Sequence, residues 1–176
     1  NIPVRSEEGR EIRKAFVARE GCVLLDADYS QIELRVLAHL SQDPAMIDAF
    51  RKGQDIHART AAEIAGVAIS EVTPEMRSHA KATNFGVVYG ISGFGLSRNA
   101  GISRKDAQAF IDRYFERYPK VKAFMDECVR LGYERGYSET MLHRRRPLPE
   151  LQSPNRNIRA FGERAAMNTP VQGTAA

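Results

Sequence analysis

The stretch that most constrains this chain is TPEMRSHAKATNFGVVYG, residues 73–90, because it carries both a helix start and a helix stop. Thr73 is a good N-cap, Pro74 fits the first helical position, where a lost N–H costs nothing, and Gly90 can adopt the left-handed conformation that ends a helix. Within these limits Arg77, Lys81, Phe85 and Tyr89 recur at every fourth residue. At 3.6 residues per turn they form one slowly turning stripe, roughly 18 Å long. Two cations followed by two aromatics suit a nucleoside triphosphate laid along the helix, phosphates at Arg77 and Lys81, sugar and base at Phe85 and Tyr89. Gly86 then reads as a gap for the close approach of a flat ligand. The same stripe also fits Phe85 and Tyr89 as core and Arg77 and Lys81 as solvated cations, and spacing alone favours that plainer reading.

Similar punctuation runs from Asp43 to about Gly136, which reads almost entirely as helix. Asp43-Pro44 opens a helix that Gly53 closes, Asp55 opens one that Gly66 closes, and Ser103 caps one that Pro119 breaks. ISGFGLS, residues 91–97, reads as a glycine-rich connector, and Val121, Phe124, Met125, Cys128 and Leu131 give the next apolar face. Before this block, a short helix is expected around Glu7 to Phe16, CVLLDAD (22–28) reads as a buried strand, and Ser30 to Glu33 as a capping box. After it, YSETML reads as a weak strand, HRRRPLP as a basic loop, and Ser153-Pro154 as the start of a helix that Thr169-Pro170 kinks. Strand-bearing segments at both ends of a helical insertion suggest two lobes with a cleft.

With 176 residues and 43% hydrophobic content the chain can bury a real core. No apolar run reaches ~18 residues, so no membrane partner is expected. Its 26 Lys and Arg against 22 Asp and Glu permit a polyanion partner without demanding one. Cys22 and Cys128 form no CxxC pair and read as reduced core thiols of a cytoplasmic protein. A start at Asn1 and an end at GTAA read as a piece of a longer protein.

Asp28 falls where a strand gives way to a helix, the usual place for a ligand-binding carboxylate in mixed folds. Mg²⁺ takes one or two carboxylates plus phosphate oxygens, so Asp28, with Asp26 as a possible second, makes half of such a site. Both are equally readable as turn residues. His57, just past the Asp55 cap, sits where an anion is welcome, although a lone His is more often a surface or capping residue.

Taken together, DYSQIELR (28–35) and RSHAKATNFGVVYG (77–90) resemble the first two polymerase motifs of the family A DNA polymerases. NIPVR (1–5), GQDIH (53–57), HRRRPLP (143–149) and NTPVQGTAA (168–176) are similar to further family segments, in the family order. The resemblance implies a predominantly helical α+β fold in which a helical fingers subdomain, 41–136, is inserted between palm segments 1–40 and 137–176. It implies Asp28 as a catalytic residue and ligand of two Mg²⁺ ions, with the carbonyl of Tyr29 as a further ligand. Glu33, with Gln31 close by, would exclude a 2′-hydroxyl; Arg77, Lys81 and His57 would hold the triphosphate, with Lys81 neutralising or protonating the leaving pyrophosphate. Phe85 would stack on the sugar, Tyr89 and Gly86 lie next to the templating base, and Arg5, Arg164, Asn168 and Gln172 touch primer and template. Asp26 matches no family ligand.

The implied activity is template-directed DNA synthesis from dNTPs on primer-template DNA, in replication or repair, by a monomer of the bacterial cytoplasm and nucleoid. The family's third motif, a His-Asp-Glu run supplying the second metal-binding aspartate, does not occur in these 176 residues, so this chain alone is expected to bind nucleotide or DNA weakly and to be inactive. A non-catalytic nucleic-acid-binding module is the alternative, and a phosphohydrolase using Asp26 and Asp28 is a weaker one.

Overall fold

A computed structural model describes residues 6–176, so NIPVR, including Arg5, lies outside the described residues. The chain divides into two units, Asn1–Ser30 and Gln31–Ala176. In the first, α1 (Glu7–Lys14) forms for local reasons: Ser6 accepts from the Gly9 amide at 3.1 Å, Glu7 and Glu8 occupy the first turn, and Arg13 and Lys14 the last. CVLLDAD is not a strand: residues 22–28 form no ladder, with Val23 86% and Leu25 91% exposed, and the Cys22 thiol is exposed rather than in a core. An apolar run becomes a strand only when neighbours take up its backbone groups, and none does so among the described residues.

The second unit is a helical assembly with one small sheet. Its helices are α2 (Ile32–Ser41), α3 (Pro44–Arg51), α4 (Ile56–Ala65), α5 (Pro74–Val88), α6 (Gly93–Ala100), α7 (Arg104–Arg117), α8 (Pro119–Arg135) and α9 (Arg156–Ala175). The main core gathers Leu34 and Leu37 of α2, Met46 of α3, Ile56 of α4, Val88 of α5, Tyr114 of α7, Val121 of α8 and Val171 of α9, with Tyr118 between α7 and α8. Seven helices thus bury one face each into a common centre, and each fully buried aliphatic side chain contributes about 1.5–3 kcal/mol. The fold class is the expected one, predominantly helical α+β.

Asp43, Asp55, Thr73 and Ser103 are all N-caps, each accepting from amides two or three residues on. At the start of α2 the expected capping box is absent: Gln31 is the N-cap, left-handed at φ 55° with no side-chain cap bond, and Glu33 instead accepts from the Tyr89 hydroxyl. ISGFGLS is not a loop either. Ser92 caps α6 by accepting from the Gly95 amide, and Leu96 packs with Ala107 and Ile111 of α7 in a satellite core.

β1 (Tyr137–Glu139) pairs antiparallel with β2 (Arg145–Pro147), Tyr137 opposite Pro147 and Glu139 opposite Arg145, so part of the basic loop is a strand. α9, capped by Asn155 rather than Ser153, runs on through Thr169-Pro170 to Ala175. A proline inside a helix leaves the carbonyl four residues earlier without its amide. That carbonyl is Ala166 O, and it accepts from Ser138 Oγ of β1 at 3.1 Å, so the hairpin supplies the bond that Pro170 removes. Ser138→Ala is expected to cost about 1–2 kcal/mol by leaving this buried acceptor unpaired, read as a lowered denaturation midpoint at unchanged m-value.

Candidate functional site

α5 starts where its caps dictate: Thr73 Oγ1 accepts from the Met76 amide at 3.2 Å and Pro74 takes the first helical position. The stripe along it is neither all core nor all solvated. Arg77 and Lys81 are exposed or nearly so, Phe85 is half-buried and Tyr89, the C-cap residue, is partly exposed. Arg77 donates through Nε to Asp55 Oδ2 at 2.8 Å, while Asp55 Oδ1 accepts from the amides of His57 and Ala58 at 2.9 and 3.1 Å. One carboxylate therefore caps α4 and tethers a cation of α5. Partial burial pushes the Asp55 carboxyl up, but Arg77 and the two amides outweigh it and hold it below the usual range.

His57, only 3% exposed, lies inside the Asp55 cap with its ring centroid 5.7 Å from that of Phe85. Its Nδ1 is 3.0 Å from Nδ2 of the fully buried Asn84. Burial lowers the imidazole pKa; Asp55 opposes this, and Arg77 and Lys81 reinforce it. The ring therefore favours its neutral form, and its place is a buried one rather than the surface. A histidine held neutral in the fold binds fewer protons than the unfolded chain below the ordinary pKa of 6.5. Stability is thus expected to be full above about pH 6.5 and to fall as pH drops through that value, with a shallower fall in His57→Gln; denaturation midpoints across pH 5–8 check it.

At the other end of α5, the Tyr89 hydroxyl donates to both oxygens of Glu33 at 3.2 and 3.1 Å, which with Gln31 stands at the start of α2. Burial and then the Glu33 charge raise the Tyr89 phenol pKa. At Gly86 the missing side chain makes room for Ile91. A Cβ there would sit 2.6 Å from Ile91 Cγ2, so the space is filled by the chain itself. Gly90, at φ 62°, lets α5 end against α9, where a Cβ would meet Met167 Cε at 2.6 Å, and Asn168 Nδ2 donates to Val88 O at 3.4 Å. On α9, Arg164, Asn168 and Gln172 follow at four-residue spacing. Asn168 and Gln172 line an open groove of about 460 Å³ together with Arg144, Arg145 and Arg146. Three arginines beside two amides suit a polyanion whose edges offer hydrogen-bond acceptors.

The structure thus joins Glu33, His57, Arg77, Lys81, Phe85 and Tyr89 through α2, α4 and α5, and seats Asn168 against the end of α5. Asp28 and Tyr29 are exposed, outside any helix or strand, in the unit that ends at Ser30. Among the described residues no three His, Cys, Asp or Glu side chains gather to hold a metal ion. Asp28 and the Tyr29 carbonyl offer oxygen donors, the kind Mg²⁺ takes together with phosphate oxygens, but too few for an all-protein cage. Asn84 was not singled out by the sequence reading; a lone amide in the apolar run NFGVV was its one signal.

The family model described as DNA polymerase family A matches residues 1–176. DNA polymerase I of Caldicellulosiruptor bescii is 57% identical over 176 residues, all of this chain and 21% of the relative. DNA polymerase I of Bacillus subtilis is 58% identical over 177 residues, all of this chain and 20% of its own length. The chain therefore spans about a fifth of these relatives. Among solved structures, the POL domain of Pol1 from M. smegmatis, in complex with DNA primer-template and dNTP, superposes with a TM-score of 0.84 at 45% identity, covering 99% of this chain and 31% of that one. Motifs, helical architecture and full-length family match agree, and the chain belongs to DNA polymerase family A.

Proposed function

We propose that this chain is the nucleotide-gripping part of a template-directed DNA polymerase, with 41–136 as fingers between palm segments 1–40 and 137–176, acting on dNTPs and primer-template DNA. The observation that carries this is the α5 stripe, cations at one end and aromatics at the other, in a chain of this family. Arg77 and Lys81 hold the triphosphate, and His57 adds a neutral N–H donor. Phe85 stacks on the sugar, and Glu33, with Gln31 beside it, excludes a 2′-hydroxyl, its carboxylate steered by Tyr89. Tyr89, with Gly86 in the last turn of α5, borders the templating base. Arg164, Asn168 and Gln172, with Arg5, grip primer and template; minor-groove acceptors are nearly sequence-independent, which suits an enzyme that must copy any sequence.

Phosphoryl transfer asks mainly for positioning and charge neutralisation. Asp28 and the Tyr29 carbonyl would hold Mg²⁺, which when bound neutralises charge on the attacking and leaving oxygens. Lys81 stabilises the departing pyrophosphate. Arg77, pre-aligned by Asp55, exchanges or shares that carboxylate for phosphate oxygens on binding; the exposed ion pair is worth under about 1 kcal/mol, so it orients the guanidinium without blocking it.

Pre-steady-state kinetics of the complete enzyme tests these roles. Lys81→Ala is expected to slow the chemical step, and Arg77→Ala to weaken dNTP binding, each by about 1.5–3 kcal/mol, roughly 10- to 150-fold. Wild-type kinetics in Lys81→Ala refutes its assignment.

A further inference from the structure

A chain of buried polar groups ends on His57. Tyr118, Thr60 and Asn84 are each fully buried. The Tyr118 hydroxyl is 3.0 Å from Glu63 Oε2 and 3.1 Å from Thr60 Oγ1; Thr60 Oγ1 is 3.3 Å from Asn84 Nδ2, which is 3.0 Å from His57 Nδ1. Its direction follows from the end that can only accept. Glu63 bonds Arg59 at 2.9 Å and Arg117 at 2.8 Å, and although burial pushes its carboxyl up, these partners and Tyr118 hold it below the usual range, so it is a carboxylate. Tyr118 then donates to Glu63 and accepts from Thr60. Thr60 Oγ1 also lies 3.4 Å from Asn84 Oδ1, but with its one proton given to Tyr118 it accepts from Asn84 Nδ2, whose second proton points to His57 Nδ1.

We propose that Asn84, held by Thr60 and Tyr118, is a positioning residue that fixes His57 in the tautomer protonated at Nε2, leaving one ring N–H to donate to a nucleotide phosphate oxygen. This rests on the reading of His57 as a triphosphate contact. The tautomer itself follows from the buried network alone. An imidazole that accepts at Nδ1 carries its neutral-form proton on Nε2. Binding then needs neither a proton from solvent nor a tautomer change, and the ring is aimed before nucleotide arrives.

The test uses the complete polymerase labelled with ¹⁵N in its histidine rings, with His57→Gln to assign the resonances. The wild type is expected to show His57 protonated at Nε2 and unprotonated at Nδ1 at pH 7.5. Asn84→Asp replaces the donor by an acceptor and is expected to move the proton to Nδ1 and raise the dNTP KM about tenfold with a smaller change in kcat. In a His57→Ala background the same substitution is expected to leave KM unchanged. A wild-type ring protonated at Nδ1 overturns the proposal, as does an Asn84→Asp effect on KM that persists without His57. The wild-type spectrum decides the tautomer even if Asn84→Asp does not fold. An unchanged KM in His57→Ala alone would remove the triphosphate contact, while the ring-nitrogen spectrum still decides the tautomer.

Discussion

Asp28→Asn in the complete polymerase is expected to slow nucleotidyl transfer by about a thousandfold or more, with primer-template binding largely retained. The substitution keeps size and shape and removes one negative charge, so what it tests is the ligand field. A catalytic divalent ion contributes several kcal/mol of transition-state charge stabilisation, and each 1.36 kcal/mol is a factor of ten. On the proposed reading Asp28, the first carboxylate of DYSQIELR, would carry that load; it is exposed and makes no ion pair among the described residues, so the substitution should carry little folding cost. Asp26→Asn, two residues away, is the control: it matches no ligand of the family and is expected to lose little. Single-turnover rates at saturating dNTP separate the two, and equal losses would favour a paired-carboxylate site.

What could be read in advance was set by the range of the interactions concerned. The starts of α3, α4, α5 and α7 were legible because Asp43, Asp55, Thr73 and Ser103 each satisfy amides within three residues. α9 was not legible past Thr169, because the hydroxyl that compensates Pro170 comes from Ser138, on another element. α6 was hidden by its glycines, which read as breakers but answer packing: a Cβ on Gly93 would sit 2.7 Å from Gln108 Oε1, and one on Gly95 2.9 Å from Ile91 Cγ1. Residues 22–28 failed as a strand for the same non-local reason, since an apolar run does not reveal whether neighbours pair with it.

The site divides along the same line. Four-residue spacing on α5 gave the stripe, and motif resemblance gave the roles, but the tethers are tertiary. Asp55 was visible as a cap, yet its second oxygen reaches Arg77, 22 residues on, and Glu33 meets Tyr89 across 56 residues. Gly86 shows what spacing along one helix does not reveal: its missing side chain accommodates Ile91, on the chain beyond the helix.

Tyr118→Ala is expected to destabilise the unit Gln31–Ala176 by about 3–5 kcal/mol, the range for removing a buried aromatic side chain, which corresponds to a midpoint roughly 6–20 °C lower. The residue is 0% exposed and packs against Tyr114 with ring centroids 4.9 Å apart and the planes tilted by 55°. It also bridges Glu63 and Thr60 in the polar chain, so truncation opens a cavity and strips one half-buried and one fully buried partner at once. Burial, the largest influence, raises its phenol pKa, so the hydroxyl stays protonated and able to donate throughout the neutral range. Tyr118→Phe separates the contributions. It keeps the ring against Tyr114 and leaves Glu63 its two arginines, so its loss should be only about 1–2 kcal/mol. A loss in Tyr118→Phe as large as that in Tyr118→Ala would place the stabilisation in the hydroxyl and not in the packing; equilibrium unfolding of the two variants side by side decides it.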